Sequence, residues 1–192
     1  MKAFSFIEVI ISIAIGSAVL IAVFSLASQN LIAADLTRHR VIAAHLAQEG
    51  VEIVINKRSS NWLTFSTEVN PLDGTLCEWR GPADCISPDP DCAPGDPDCL
   101  ADGTSYIAQY NSTSLTPTSN PSDQLLSIDS NFLYCHAFLG GCVGSFSPSP
   151  YNRVISISTI NDHHMKIVST ISWVYNNQPH SVSVEDRLYN WR

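Results

Sequence analysis

The first third of the chain is dominated by a long apolar run. From Val9 to Ala34, 26 consecutive residues carry no formal charge, which is enough to cross a bilayer, since a spanning helix needs about 20 residues. No proline interrupts this run or the residues that follow it as far as position 58. The pattern predicts one helix from Phe4 to about Arg58, with residues 4–34 as its membrane segment.

The second half of this helix, residues 35–58, is predicted to be amphipathic. A stripe of positions recurs at steps of three and four residues, with polar residues between them. The stripe consists of Leu31, Asp35, Arg38, Ile42, Leu46, Gly50 and Val54. Gly50 is an expected weak point, because glycine costs up to ~1 kcal/mol relative to alanine within a helix. Such a stripe is typical of a helix that packs on a folded domain.

Beyond residue 125 the apolar positions alternate with a period of two, which is typical of strands. Ile155 and Ile157 alternate with serines, and the same alternation continues from Ile167 to Tyr175. A turn is predicted at residues 176–179, followed by a last strand. We expect an antiparallel sheet of three to five strands within residues 125–192, covered by the amphipathic half of the helix. The predicted fold class is therefore α+β, a long N-terminal helix packed on a C-terminal antiparallel sheet.

Residues 71–122 differ from both flanks, because they are rich in Pro, Gly, Asp, Ser and Thr. We interpret them as loops that are held by cross-links rather than by a core. The sequence Asp-Pro-Asp-Cys occurs twice, ending at Cys92 and at Cys99. Its aspartates suggest a calcium site within residues 85–102, since Ca²⁺ prefers carboxylate oxygens; an acidic surface loop tied by disulfides is the simpler interpretation. Asn111 begins a formal glycosylation sequon.

Six cysteines indicate an oxidising compartment and up to three disulfides. They are Cys77, Cys85, Cys92, Cys99, Cys135 and Cys142. Their spacings contain no CxxC pair, so a structural zinc site is not expected. Of the 15 possible pairings, those between neighbours in sequence, such as Cys135 with Cys142, are the simplest choice. The Cys-rich part of the chain therefore belongs outside the cytoplasm.

The charge balance excludes nucleic-acid binding as the expected function. The chain has 10 basic and 18 acidic residues, a formal net charge of −8, and so lacks the cationic surface that displaces counterions from phosphates. One acid, Glu8, lies at the start of the apolar run. A carboxylate costs about 2.5–3.5 kcal/mol at the centre of a bilayer. Glu8 therefore either faces water at the interface or pairs with a positive group when chains associate.

The residues around Glu8 resemble a processing signal. Lys2 and the small residue Ala3 precede the aromatic Phe4, Glu8 follows four residues later, and an uninterrupted apolar helix follows. This combination resembles the cleavage and methylation signal of type IV prepilins and of type II secretion pseudopilins, with Ala3 where the family usually has glycine. Residues 43–62 are similar to minor pilins of the pilus-modification kind and also resemble the minor pseudopilins of type II secretion.

The resemblance implies a leader peptide of residues 1–3, which a prepilin peptidase removes by cleaving between Ala3 and Phe4. It also implies N-methylation of the new Phe4 amine and assembly of the mature chain into a filament through its helix. In that filament, the Phe4 amine of one subunit would form a salt bridge with Glu8 of its neighbour. The implied partners are other pilin subunits, the prepilin peptidase, the pilus or type II secretion assembly machinery and membrane lipid.

The expected function is therefore that of a minor pilin, stored in the cytoplasmic membrane and then displayed at the cell surface, with residues 59–192 as its globular head. A type II secretion pseudopilin and a single-pass anchored binding domain that never polymerises are the alternatives. No enzyme motif is present: His163 and His164 are adjacent and point in different directions in a strand. We expect no catalytic residue, no cofactor and no metal.

Overall fold

A computed structural model describes residues 6–65, 105–109, 115–140, 142–161 and 164–189. The chain forms two compact units, one extending to Val41 and the other beginning at Ile42. The expected cleavage and methylation site, the cysteines from position 77 to position 99 and the Asp-Pro-Asp-Cys repeat lie outside the described residues.

The helix α1 spans Phe6–Phe65, so the predicted end near Arg58 is wrong by about two turns. The serine-containing segment after Arg58 does not stop the helix, because the hydroxyl of Ser59 donates to the backbone carbonyl of Ile55 at 2.9 Å. A serine that bonds its hydroxyl back into the preceding turn is compatible with a helix interior.

Seven strands follow within the described residues, and every pairing between them is antiparallel. They are β1 (Ser105–Ala108), β2 (Leu115–Pro117), β3 (Leu125–Ile128), β4 (Tyr134–Cys135), β5 (Ser147–Asn161), β6 (His164–Tyr175) and β7 (Gln178–Tyr189). The long strand β5 organises the sheet. One edge of β5 pairs with β6, which pairs with β7, and its other edge pairs with β3 near its start and with β1 further along. The fold is therefore α+β, as predicted.

Five of these strands, β3 to β7, lie within residues 125–192, as predicted, but the sheet also contains β1 and β2, which lie inside the region interpreted as loops. Tyr106, Ile107 and Leu115 are almost completely buried, and Tyr106 pairs with Ile155 of β5. Strands of three or four residues are too short to produce a clear period in the sequence. Their burial depends on pairing with a strand about 50 residues away, which local composition does not reveal.

The core lies between the sheet and the part of α1 that begins at Ile42. The buried stripe of this part consists of Ala43, Leu46, Ala47, Gly50, Val51, Val54, Lys57 and Arg58. Its first turns pack in a cluster with Leu126 and Tyr151, and its later turns pack in a second cluster with Ile155 and Ile157. Helix-on-sheet packing is thus confirmed within this unit.

Gly50 marks the closest approach between α1 and the sheet. A Cβ atom built there would collide with the hydroxyl of Ser169 and would lie 3.2 Å from the Cβ of Ser169 and 3.4 Å from the Cδ of Arg153. Gly50, which the sequence predicts as a weak point of the helix, therefore allows α1 and the sheet to approach each other because it has no side chain.

A turn joins β6 to β7 as expected, but it consists of Asn176 and Asn177 alone, because Gln178 and Pro179 already belong to β7. Asn176 and Asn177 have φ angles of 49° and 58°, the left-handed conformation that the two central positions of a type I′ hairpin turn require. Asparagine tolerates this conformation better than most residues.

Candidate functional site

The most distinctive surface of the described chain is the apolar part of α1. The helix contains an 18-residue window with a mean hydropathy of 2.7, none of which is buried. Phe24 is 71% exposed, and Ile21 is 70% exposed. This part of the helix is therefore long and apolar enough to cross a membrane.

The apolar side chains surround the helix rather than form one stripe. Consecutive residues such as Ile10 and Ile11, and Leu20 and Ile21, are all exposed, although each step along a helix turns the side chain by about 100°. A core helix of a soluble domain would bury at least one of these faces. By its length and composition, this segment is therefore a candidate membrane span.

Two serines of this segment form hydrogen bonds within the helix. The hydroxyl of Ser12 donates to the carbonyl of Glu8 at 2.7 Å, and that of Ser17 donates to the carbonyl of Ala14 at 2.9 Å. A hydroxyl that bonds back to its own helix can enter hydrocarbon without leaving a donor unpaired. The serines are thus compatible with a membrane location.

Glu8 occupies the first turn of the described helix, and its side chain is exposed. An acid in this turn complements the positive end of the helix dipole. Ala3 and Phe4, the residues of the expected cleavage and of the expected salt bridge, lie outside the described residues. The geometry of that salt bridge therefore remains a prediction.

A disulfide joins Cys135 to Cys142, with Cα atoms 5.4 Å apart, as the pairing of sequence neighbours predicts. It closes a short loop that contains a single 3₁₀ turn, Ala137–Leu139, after β4. The remaining cysteines are not among the described residues.

A buried polar centre, which the sequence interpretation missed, fixes α1 to the sheet. The guanidinium of Arg153 is fully buried and donates to the carboxylate of Glu49 at 3.0 Å. The same group donates to the carbonyls of Leu46 at 3.4 Å and of Ala108 at 2.6 Å. Arg153 thus connects α1, β1 and β5. The alternation along β5 contains the signal, since Arg153 shares its face with Ile155 and Ile157.

His136 lies beside this centre and is also fully buried. Its burial, and secondarily the positive charge of Arg153, lower the pKa of His136 from 6.5 to about 4. Its Nδ1 lies 3.1 Å from the carbonyl of Asp123, and its own carbonyl accepts from the side chain of Gln109 at 3.2 Å. His136 is therefore neutral at neutral pH and acts as a packing and hydrogen-bonding residue.

A histidine and a tryptophan elsewhere in the sheet pack against aromatic rings. His164 stacks on Tyr189, with ring centroids 4.3 Å apart, and Trp173 is buried against Tyr151 and His180. Within the described residues, no group of three or more His, Cys, Asp or Glu side chains is arranged to hold a metal ion.

Comparison of the chain with protein-family models, with curated proteins and with solved structures finds no match.

Proposed function

We propose that this protein is a type IV pilin-like subunit, most simply a minor pilin, which is stored in a membrane through residues 4–34 and assembles into a filament through the same helix. The observation that supports this proposal most is the fully exposed apolar half of α1, which carries an acid at its start and continues into a half that packs under a sheet. A type II secretion pseudopilin shares these features and is the alternative within the family.

Glu8 gives the apolar segment its chemical specificity. Cleavage between Ala3 and Phe4 creates an amine whose charge is as costly in hydrocarbon as the carboxylate of Glu8. When the amine of one subunit lies against Glu8 of its neighbour, each charge neutralises the other; separated, both oppose burial. The pair therefore selects one axial register among helices whose apolar surfaces would otherwise slide past each other.

Replacement of Glu8 tests this role. In Glu8→Ala the Phe4 amine has no partner, and an unpaired charge in a membrane helix costs about 2.5–3.5 kcal/mol. We therefore expect incorporation into sheared surface filaments to fall about tenfold or more, while the amount of chain in the membrane fraction stays the same. Immunoblots of the two fractions measure both quantities.

A matched control is available on the same helix. Glu52 is exposed in the part of α1 that packs on the sheet, where its carboxylate accepts from Gln48 at 3.1 Å, and Glu52→Ala removes an equal charge. Normal incorporation of Glu8→Ala, or an equal loss in both variants, would contradict the role of Glu8.

The intact mass of the native protein separates a filament subunit from a simple anchor. A filament subunit lacks Met-Lys-Ala and gains one methyl group, whereas a non-polymerising anchored domain keeps its first residues. Detection of the unprocessed chain alone, in both the membrane and the surface fraction, would contradict the proposal.

A further inference from the structure

Two arginines follow directly after the apolar run of α1. Arg38 and Arg40 lie four and six residues beyond Ala34, and both side chains are exposed. Among the described residues, no hydrogen bond or ion pair holds either guanidinium. Both arginines belong to the compact unit that contains the apolar run and extends to Val41. Their distance from that run is therefore fixed by one continuous helix.

The spacing of the charges along this helix matches the thickness of a bilayer. Arg38 lies 30 residues beyond Glu8, which corresponds to about 45 Å of helix. A bilayer with its headgroup layers is about 40–45 Å thick. In the stored subunit the charge of Glu8 favours the headgroup layer of one leaflet. Arg38 then lies at the headgroup layer of the other leaflet.

The two arginines point in different directions around the helix. Each residue turns the side chain by about 100°, so Arg38 and Arg40 lie about 200° apart. One protein surface contacts one side of a helix, whereas the headgroup layer of a bilayer surrounds the helix completely. The apolar run before the arginines is likewise exposed on every side. The occupant that meets both arginines at once is therefore lipid.

The chemistry of the two side chains favours a phosphate that no ammonium group neutralises. A guanidinium binds phosphate through paired, charge-assisted hydrogen bonds. In phosphatidylcholine the choline ammonium offsets the phosphate charge, whereas phosphatidylglycerol keeps a net negative charge. Asp35 is the one acidic residue between Ala34 and Val41, so two arginines leave this stretch a formal net charge of +1 on a chain of −8.

We propose that Arg38 and Arg40 bind the phosphates of anionic phospholipids in the leaflet from which α1 emerges, so that the stored subunit carries these lipids around its helix. The inference rests on the proposed function in one respect, that residues 4–34 lie in a membrane. Each basic residue close to an anionic membrane surface strengthens the attraction about fivefold. Two arginines are therefore enough to select anionic lipid from a mixture.

Lipid retention by the full-length chain tests the inference. The chain is reconstituted at one copy per nanodisc in an equimolar mixture of phosphatidylglycerol and phosphatidylcholine. Native mass spectrometry then counts the lipids that stay bound after release into detergent. We expect phosphatidylglycerol to be retained about fivefold or more over phosphatidylcholine at low salt. The preference should fall when the lipids equilibrate in 1 M salt, where the Debye length is about 3 Å. Equal retention of the two lipids at low salt would overturn the inference.

Substitution of the arginines tests their part in the preference. Arg38→Gln/Arg40→Gln should abolish it, whereas Arg38→Lys/Arg40→Lys should keep most of it, because the charges remain. Circular dichroism checks that each variant is folded. The matched control is Arg187→Gln, which removes an equal charge from an exposed side chain of β7 that lies 3.6 Å from Glu185. Full preference in Arg38→Gln/Arg40→Gln, or an equal loss from Arg40→Gln and Arg187→Gln, would overturn the inference.

Two further arms identify other occupants of the arginines. Inorganic phosphate, added at constant ionic strength, should leave phosphatidylglycerol in place; its displacement would identify free phosphate as the ligand and overturn the inference. The preference should also be present with one chain per disc. If it depends on the arginines only with several chains per disc, a neighbouring copy is the occupant and the inference fails.

A probe in the apolar run separates the two proposals. Phe24 lies close to the midpoint between Glu8 and Arg38, and Phe24→Trp should be quenched by lipid that is brominated near the end of its acyl chains. If Phe24→Trp is quenched and the preference for phosphatidylglycerol is absent, only the present inference fails. If Phe24→Trp is not quenched, the membrane storage in the proposed function fails, and the present inference fails with it.

Discussion

The buried residue Arg153 helps to hold the helix on the sheet. Arg153 is surrounded by apolar side chains, yet it donates to groups on α1 and on β1 as well as lying on β5. The two terminal nitrogens of Arg153 are paired, and their contacts relate the position of Glu49 on α1 to β5. The apolar stripe of α1 alone would permit several registers.

His136 makes stability depend on pH. Its pKa is about 4 in the folded protein and 6.5 when unfolded, so between these values the unfolded state binds the proton and the folded state does not. Titration of His136 therefore leaves the free energy of unfolding unchanged above pH 6.5. As the pH falls toward 4, it lowers this free energy by about 3 kcal/mol in all. Chemical unfolding at a series of pH values measures this loss.

The variant His136→Asn isolates this contribution. An asparagine amide can still donate to the carbonyl of Asp123, but it does not titrate in this range. We expect lower stability overall and a flatter dependence between pH 6.5 and pH 4. An unchanged slope would show that other groups are responsible.

Gly50→Ala should destabilise the protein, although alanine is the better helix former. The added methyl group meets Ser169 and Arg153, and overpacking costs about 1–3 kcal/mol, against a gain of up to ~1 kcal/mol in helix propensity. Urea unfolding should show a net loss of about 1 kcal/mol.

A double-mutant cycle identifies the cause. Ser169→Ala removes the hydroxyl that the new methyl group would strike, so the pair Gly50→Ala/Ser169→Ala should recover part of the stability lost in Gly50→Ala. Strict additivity of the two changes would contradict the steric explanation.

At the scale of elements, α1 is one helix with two different environments. Up to Ala34 its side chains are exposed and apolar on every face, whereas from Ala43 onward it has a single buried stripe. In the strands, by contrast, the environment of the side chain alternates from one residue to the next. Their alternation places one face of β5 and β6 on the core, and the opposite face is half-buried or exposed where it is described.

The β6–β7 hairpin depends on the left-handed residues of its turn. Asn177→Val places a β-branched residue at a φ of 58°, which costs roughly 1–2 kcal/mol, whereas Asn177→Gly should be neutral or slightly stabilising. Thermal unfolding compares the two variants. Ser181→Val, on the exposed face of β7, serves as the control; an equal loss from Asn177→Val and Ser181→Val would contradict the turn assignment.

At the scale of the whole molecule, the two compact units have separate sources of stability. The core residues begin at Ala43, and the apolar side chains before Ala34 contribute nothing to it. The unit that begins at Ile42 therefore has a core of its own, to which the apolar part of α1 does not contribute.

Deletion of residues 1–34 should therefore leave the unit that begins at Ile42 folded. We expect the truncated chain to keep its sheet signal in circular dichroism and a cooperative thermal transition, and to leave the tightly bound membrane fraction, since it has lost the apolar segment. An unfolded truncated chain, or one that stays in the same fraction as the full chain, would contradict this division.

The sequence by itself determined the long helix, its apolar first half, the α+β class and the last hairpin, because these features follow from local periods and from turn residues that act over a few positions. The sequence also pointed to Glu8, since one charge in an apolar run is visible without a structure. Only the tertiary structure revealed β1 and β2, the burial of Arg153 and His136, the close approach at Gly50 and the exposed position of Phe132. Each of these depends on contacts between residues far apart in the chain, and no local pattern records which distant strand lies opposite a given side chain.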